Sequence, residues 1–215
     1  MRATTDALKN ERREAILAAA GRLHESAEFE AISVARIAAE AAVSKGTVFV
    51  YFSSKEAVFL ELALRAFEEW FVALKRSFSA FGAEPDAETM ARTIAGTLAG
   101  RRAMLRLAAL SHAILERNVA LEDALRFKRR VLDALARLGA ELGPALPPLR
   151  QEKRLGFLLG LYGVIIGVTA VQELPAAVRK ALAADGAYRG IDAALDGLLV
   201  ETLSAYIRGS AADSP

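Results

Sequence analysis

The chain has 215 residues, of which 53% are hydrophobic and 25% are charged, and its formal net charge is +2. This length is sufficient for one or two domains with a hydrophobic core. Cysteine is absent, which excludes a disulfide framework and thiol chemistry. The first fourteen residues are polar and lack the apolar run of a signal peptide, so we expect a cytoplasmic protein.

Apolar residues recur at helical spacing along the chain, and no run alternates in the way that strands do. The sequence therefore predicts an all-α fold. The first predicted helix covers residues 9–27. Three basic residues at its start are either a solvated helix end or an arm that contacts phosphates: Lys9, Arg12 and Arg13.

Residues 32–58 predict two short helices joined by a tight turn. The first lies near residues 33–40, with Ser33 as its N-cap and apolar residues at i, i+3, i+4 and i+7. Ser44 caps the second helix, whose inner face is Val48 and Phe52. Such a pair is a helix-turn-helix, and its second helix enters the major groove of DNA.

The charge pattern supports this interpretation. Residues 1–55 are nearly balanced, with eight Lys/Arg against seven Asp/Glu. Between residues 31 and 55, however, Arg36, Lys45 and Lys55 face a single acidic residue, Glu40. A local surplus of positive charge beside the second helix favours phosphate contacts. After it, the Ser-x-x-Glu pattern of residues 53–56 predicts a capping box and a new helix from about residue 54.

The run Val43-Ser44-Lys45-Gly46-Thr47 is followed by a ring at position 49, by Tyr51-Phe52 and by Ser54-Lys55-Glu56. With these motifs, residues 12–60 resemble the N-terminal domain of the TetR family of transcriptional repressors. The resemblance implies an all-helical homodimer that binds a palindromic operator in double-stranded DNA and is released by a small-molecule effector. The DNA-binding residues that we expect from the pattern and the resemblance are Ser33, Arg36, Ser44, Lys45, Gly46, Thr47, Phe49, Val50, Tyr51 and Lys55.

By the same resemblance, Lys45, Gly46, Phe49 and Val50 face bases, whereas Thr47, Tyr51 and Lys55 hold phosphates. Three positions depart from the family pattern. Ala42 stands where the family usually has Gly in the turn, which predicts a small strain. Phe49 replaces a Tyr, and Val50 replaces a His or another polar residue. These two changes remove hydrogen-bonding groups and leave apolar contacts, such as those made to thymine methyl groups.

The remaining chain predicts further helices separated by glycine and proline breaks. A long amphipathic helix runs from Ser54 to about Ser79. Later helices are predicted at 86–99 with Asp86 as N-cap, 101–117, 119–142 with Asn118 as N-cap, 150–173, 175–184 and 190–208. We expect a helix-turn-helix DNA-binding domain over residues 1–53, a helical effector-binding and dimerisation domain over 54–210, and a disordered tail at 211–215.

Residues 155–171 form a run of seventeen residues without a charge. A membrane span usually needs about 20 residues, so a span is the less favoured interpretation. Glycines recur on one face at GxxxG spacing, and we favour a helix buried on all sides, in its own subunit and against a second copy. In the resembled family the last two long helices form the dimer contact. The interface residues predicted here are Gly160, Gly163, Gly167, Ile191, Leu195, Leu198 and Thr202.

An effector pocket is predicted among the long helix and those at 101–117, 119–142 and 150–173. The candidate lining residues are Trp70, Leu74, Met104, Ser111, Phe127, Tyr162 and Thr169. Few ionisable groups lie on these inner faces, which favours an apolar or aromatic effector. Two histidines and no cysteine leave few candidates for catalysis or metal binding, so we expect no enzyme, no metal and no cofactor. The open alternative is a helical ligand-binding or interaction protein with weakened DNA binding.

Overall fold

A computed structural model describes residues 2–81, 85–147, 149–172, 176–188 and 191–212. The regular elements within these residues are all helical, which confirms the predicted all-α fold. The α-helices are α1 (Arg2–Ser26), α2 (Val34–Glu40), α3 (Lys45–Tyr51), α4 (Lys55–Phe78), α5 (Ala87–Leu98), α6 (Arg102–Ala113), α7 (Leu121–Glu141), α8 (Gln151–Gln172), α9 (Ala176–Ala184) and α10 (Ile191–Ala212). Short 3-10 turns occur at Phe29–Ala31, Leu115–Arg117, Gly143–Ala145 and Gly186–Tyr188.

Several helix ends differ from the prediction, and the differences follow from capping. The helix predicted at 101–117 ends at Ala113 and is followed by a 3-10 turn. Asn118 ends that turn and does not cap α7, since the backbone N–H of Ala124 donates to the carbonyl oxygen of Ala120 at 3.1 Å. At the other end of the chain, α10 continues to Ala212, so residues 211 and 212 are helical. Residues 213–215 of the expected tail lie outside the described residues.

The N-cap of α4 is Ser54 and not Ser53. The Ser54 hydroxyl accepts a hydrogen bond from the backbone N–H of Ala57 at 3.1 Å. Ser53 instead donates to Asp123 Oδ2 at 2.6 Å. The predicted Ser-x-x-Glu box therefore does not form, because Ala57 and not Glu56 lies three residues after the cap. The predicted cap Asp86 of α5 is confirmed, because its carboxylate accepts from the backbone N–H of Thr89 at 2.7 Å.

The chain forms two compact units. Unit 1 contains Met1–Phe67 and Arg106–Val131. Its core joins α1 to the helix-turn-helix and α4 through fully buried side chains, which include Ile16, Ile37 and Phe59. The first half of α4 lies in this unit, so its boundary does not coincide with the domain boundary predicted at residues 53/54.

Unit 2 contains Glu68–Leu105 and Leu132–Pro215. In it, α10 packs against α5 and α8. The Tyr206 ring stacks on Phe157 with ring centroids 5.5 Å apart, and its hydroxyl donates to the Phe157 carbonyl oxygen at 3.1 Å. A Cβ atom at Gly160 would lie 2.0 Å from the Tyr206 hydroxyl oxygen. Only glycine at this position allows α10 to pack so closely.

The apolar helix α8 is not buried on all sides within the chain. Phe157, Leu161 and Ile165 are buried on one face. The opposite face leaves Leu159 39% exposed, and it includes Gly163 and Gly167. By length and composition α8 is the one helix of the described residues that is apolar enough to cross a membrane, and 28% of its apolar window is buried.

Candidate DNA-binding site

The turn between α2 and α3 is a Schellman motif with alanine in the place of glycine. The backbone N–H of Val43 donates to the carbonyl oxygen of Ala38 at 2.9 Å, and that of Ala42 donates to Ala39 at 3.1 Å. Ala42 has φ of 53°, in the left-handed region. A side chain in that region costs about 1–2 kcal/mol relative to glycine. The strain expected from the sequence is therefore present at Ala42.

Both short helices carry the predicted serine caps. The Ser33 hydroxyl accepts from the backbone N–H of Arg36 at 3.2 Å. The Ser44 hydroxyl accepts from the backbone N–H of Thr47 at 3.0 Å and lies 2.8 Å from the Thr47 hydroxyl. These caps satisfy first-turn N–H groups that a seven-residue helix otherwise leaves to water. The caps fix where α3 begins.

The two faces of α3 differ sharply. Val48 is 1% exposed and Phe52 is 6% exposed, so both pack into the core as predicted. Phe49 is 48% exposed and Val50 is 79% exposed. Lys45 and Gly46 lie on the same exposed side, and the Lys45 amine is 5.9 Å from the centre of the Phe49 ring. The residues expected to face bases are thus accessible together.

The expected phosphate-binding cations already have partners in the chain. Arg36 Nη1 donates to the Ala31 carbonyl oxygen at 2.6 Å. The Lys55 amine donates to the Phe29 carbonyl oxygen at 3.0 Å and lies 3.8 Å from the centre of the Phe29 ring. An ammonium group has three donors, so the bond to Phe29 leaves two of them for another acceptor. These contacts fix where each side chain lies.

A cluster of ion pairs around Glu61 joins α1, α4 and α7. Arg13 Nη2 lies 3.0 Å from Glu61 Oε1, and Arg130 Nη1 lies 3.0 Å from Glu61 Oε2. Arg65 pairs with Glu61 and donates through both terminal nitrogens to Glu14. Burial raises the pKa of Glu61, but the contacts of Arg13 and Arg130 outweigh burial and leave that pKa below its ordinary value.

Sequence reasoning missed this cluster because its members are far apart in the chain. The sequence allows Arg13 to be a solvated residue or a phosphate contact, whereas in the fold it binds Glu61 and lies 5.4 Å from the centre of the Phe52 ring. Only the i, i+4 spacing of Glu61 and Arg65 was visible in the sequence. Tyr51 lines a small cleft of about 190 Å³ beside this cluster, together with Arg13, Phe52, Ser53, Ala57, Leu60, Asp123 and Arg126.

The candidate effector residues are nearly all buried. Trp70, Leu74, Met104, Tyr162 and Thr169 belong to unit 2, whereas Ser111 and Phe127 belong to unit 1. Trp70 Nε1 donates to the Thr97 hydroxyl at 3.0 Å. The hydroxyls of Thr169 and Ser111 donate to carbonyl oxygens of their own helices at 2.6 and 2.8 Å. Their polar groups therefore have internal partners.

Two surface clefts in unit 2 are lined by other residues. One, of about 700 Å³, is lined by Ala73, Arg76, Ser77, Thr93, Gly96, Thr97, Ala99, Gly100 and Arg101. The other, of about 230 Å³, is lined by Glu68, Phe71, Val72, Lys75, Ala134, Arg137, Leu138 and Glu141. Charged side chains line both clefts. In the described part of the chain, no group of three or more His, Cys, Asp or Glu is placed to hold a metal ion.

The candidate dimer residues fall into two groups. Extra Cβ atoms at Gly163 and Gly167 would meet nothing within 4 Å, so these two glycines face open space. Gly160 instead makes room for Tyr206 of the same chain, and the Leu195 carbonyl oxygen accepts from Gln172 Nε2. Leu195, Leu198 and Thr202 are half-buried. The side chain of Ile191 lies outside the described residues.

Comparison with known proteins identifies the two parts of the chain. Residues 16–62 match the family model described as bacterial regulatory proteins, tetR family. Residues 64–214 match the model described as tetracyclin repressor-like, C-terminal domain. A comparison with curated protein sequences gave no match.

Solved structures with the same fold cover nearly the whole chain. The TetR family repressor AlkX from Dietzia sp. strain DQ12-45-1b, implicated in biodegradation of n-alkanes, is 15% identical, with 93% of this chain and 96% of that chain covered at a TM-score of 0.56. A putative TetR-family transcriptional regulator from Mesorhizobium loti MAFF303099 is 20% identical, with 94% and 97% covered at 0.55. A transcriptional regulator from Rhodococcus sp. Rha1 is 18% identical, with 94% and 99% covered at 0.55.

At these identities the likeness shows the fold alone. The family models together span both units and include the helix-turn-helix described above. Members of this family act by binding DNA and not by catalysing a reaction, which agrees with the expectation from the sequence. The chain belongs to the TetR family of transcriptional regulators.

Proposed function

We propose that this regulator is a homodimeric, cytoplasmic repressor that binds a palindromic operator and releases it when a small effector binds. The observation that carries the proposal is the exposed side of α3. This side presents Lys45, Gly46, Phe49 and Val50 together, while Val48 and Phe52 anchor the helix in the core. A short rigid helix with one anchored face is the element that a helix-turn-helix protein places in the major groove.

The flanking polar groups support binding to the DNA backbone. Thr47 and Tyr51 are four residues apart and lie together on one flank of the base-facing positions, and Lys55 follows in the first turn of α4. Hydroxyl and ammonium groups at such positions fix the register of a helix on the duplex by binding phosphates. Each phosphate neutralised by a cation contributes about −0.9 to the slope of log K against log salt concentration.

The exposed face of α8 supports a dimer. Leu155, Leu159 and Val171 are 37%, 39% and 56% exposed, and Gly163 and Gly167 leave the backbone open between them. A contiguous apolar surface of this kind on a DNA-binding regulator favours a protein partner. A two-fold dimer carries two α3 helices, and the two half-sites of a palindromic operator lie on successive major grooves about 34 Å apart.

For the effector, we propose an apolar or aromatic molecule with one or two polar handles. Trp70, Leu74 and Met104 supply large apolar surfaces, and Thr169 and Tyr162 carry hydroxyls. A thermal shift assay against a panel of lipophilic and highly charged molecules tests this, because a ligand that binds the folded protein raises its melting temperature. Stabilisation by highly charged molecules alone would contradict the proposal.

The DNA-binding assignment is tested by replacing Lys45 and Thr47 with Ala. We expect the double variant to bind the DNA upstream of its own gene at least tenfold more weakly, with an unchanged melting temperature, because both side chains are exposed or half-exposed. Lys180→Ala, on an exposed position of α9, is the control and should bind as the parent protein does. Equal retention of the double variant would favour a helical interaction protein with weakened DNA binding.

A further inference from the structure

The exposed side of α3 is unusually apolar for a surface that meets DNA. Val50 is 79% exposed and Phe49 is 48% exposed, whereas Val48, the residue before them in α3, is 1% exposed. Phe49 and Val50 therefore do not serve the core of unit 1. Since they are adjacent on one helix, they form a single apolar patch at the centre of the recognition surface.

The residues around this patch have few polar groups available to hydrogen-bond with base edges. Gly46 has no side chain, and the Thr47 hydroxyl lies 2.8 Å from the Ser44 hydroxyl that caps the helix. The Lys45 amine lies 5.9 Å from the centre of the Phe49 ring, where the ring attracts its charge. The centre of the surface thus offers carbon atoms to the bases, and its one cation is at the edge.

In the major groove one feature of the base edges matches such a patch. All four bases present hydrogen-bonding groups in the major groove, and thymine adds an apolar C5-methyl group. We propose that Phe49 and Val50 recognise the C5-methyl group of a thymine in each half of the operator, and that this contact determines base preference at that position. The inference rests on the proposed function, because it assigns a specificity to the DNA site already proposed.

The experiment first selects tight-binding duplexes from a random, unmethylated library with the full-length protein. Each thymine of the selected duplex is then replaced, one at a time and in both half-sites, by deoxyuridine. This change removes only the methyl group and keeps the hydrogen-bonding edge of the base. For at least one position we expect the Kd to rise about fourfold per half-site, as the loss of one buried methyl-sized group predicts.

The same substitutions are measured with Val50→Ala and Phe49→Ala. We expect one of these variants to bind the thymine and deoxyuridine duplexes equally at the sensitive position, because the partner of the methyl group is gone. Val72→Ala is the matched control: Val72 is 60% exposed on α4, and its variant should keep the fourfold difference. Comparing pairs of changes in this way isolates the contact from general weakening.

The outcomes separate the inference from the proposed function. If duplexes are selected but no deoxyuridine changes the Kd, the methyl contact is wrong and operator binding stands. The same conclusion follows if both variants keep the full deoxyuridine effect. If no duplex is selected over random DNA, the proposed function and the inference fall together.

Discussion

Helices α3 and α8 both leave apolar side chains in solvent, and their surroundings indicate different partners. Phe49 and Val50 share the short helix α3 with Lys45 and Thr47, and Ser44 caps that helix. Around Leu155 and Leu159 lie glycines and further apolar residues, within a run of seventeen uncharged residues. An apolar patch among cations and hydroxyls suits a groove flanked by phosphates, whereas a long uncharged face suits a second protein surface. Exposure alone therefore does not identify the partner of an apolar surface.

The first prediction compares the stability lost when a buried ring and an exposed ring of unit 1 are each replaced by alanine. Phe59 is 0% exposed and contacts the rings of His24 and Phe29 edge-on at 5.7 and 5.0 Å. We expect Phe59→Ala to lower the free energy of unfolding by about 3–5 kcal/mol, measured by urea denaturation. Phe49→Ala is the matched control and should change it by less than about 0.5 kcal/mol. A similar loss in both variants would show that Phe49 is a core residue and that α3 has no exposed apolar patch.

The second prediction concerns the α8 face. Leu159→Arg should leave the fold intact, because the side chain is 39% exposed within the chain, but it would place an unpaired charge in the proposed dimer contact. An uncompensated buried charge costs about 2–5 kcal/mol, so the dimer Kd should rise at least about 30-fold. Light scattering measures the mass. The control is Leu121→Arg on α7, where the leucine is 75% exposed, and this variant should remain a dimer. A Leu159→Arg variant that remains a dimer would show that the interface lies elsewhere.

The third prediction tests whether charges also hold the helices of unit 1 together. Glu61→Gln removes the carboxylate that pairs with Arg13, Arg65 and Arg130. The Glu61 side chain is 17% exposed. We expect a loss of about 1–3 kcal/mol in unfolding free energy. Glu88→Gln removes an i, i+4 pair with Arg92 in which both side chains are more than half exposed, and should cost less than about 0.5 kcal/mol.

The pH dependence of the same variant gives an independent check. The pKa of Glu61 is lowered in the folded chain, so its contribution is complete above the ordinary value of 4.5 and is lost as the pH falls through the lower folded value. The parent protein should therefore lose more stability than Glu61→Gln on acidification through that range. Parallel curves for the two proteins would contradict the role assigned to the cluster.

The smallest expected effect is a gain. Ala42→Gly relieves the positive φ of 53° in the turn before α3, while glycine loses more backbone entropy on folding. The balance predicts a stabilisation of about 0.5–1 kcal/mol by chemical denaturation. The control is Ala41→Gly at φ of −86°, where no strain is relieved and we expect a loss of similar size. A loss in both variants would show that the turn is not strained.

Much of unit 1 could be predicted because its signals are local. The caps Ser33 and Ser44, the buried pair Val48 and Phe52, and the strained turn at Ala42 are each decided within a few residues. Where a local signal was ambiguous, the prediction was off by one residue, since Ser53 and Ser54 are both suited to capping. Ser54 is the N-cap of α4, because the Ser53 hydroxyl binds Asp123, 70 residues later in the chain.

The helical fold, the order of the helices and the two faces of α3 follow from local sequence patterns, because periodicity, caps and breaks act over one or two turns. Other features required the packed chain: Arg13 binds Glu61, Gly160 makes room for Tyr206, and Gly163 and Gly167 face open space. Each of these depends on which distant segment packs against a residue. The apolar periodicity of a helix indicates which of its sides is apolar, but it does not indicate which segment covers that side.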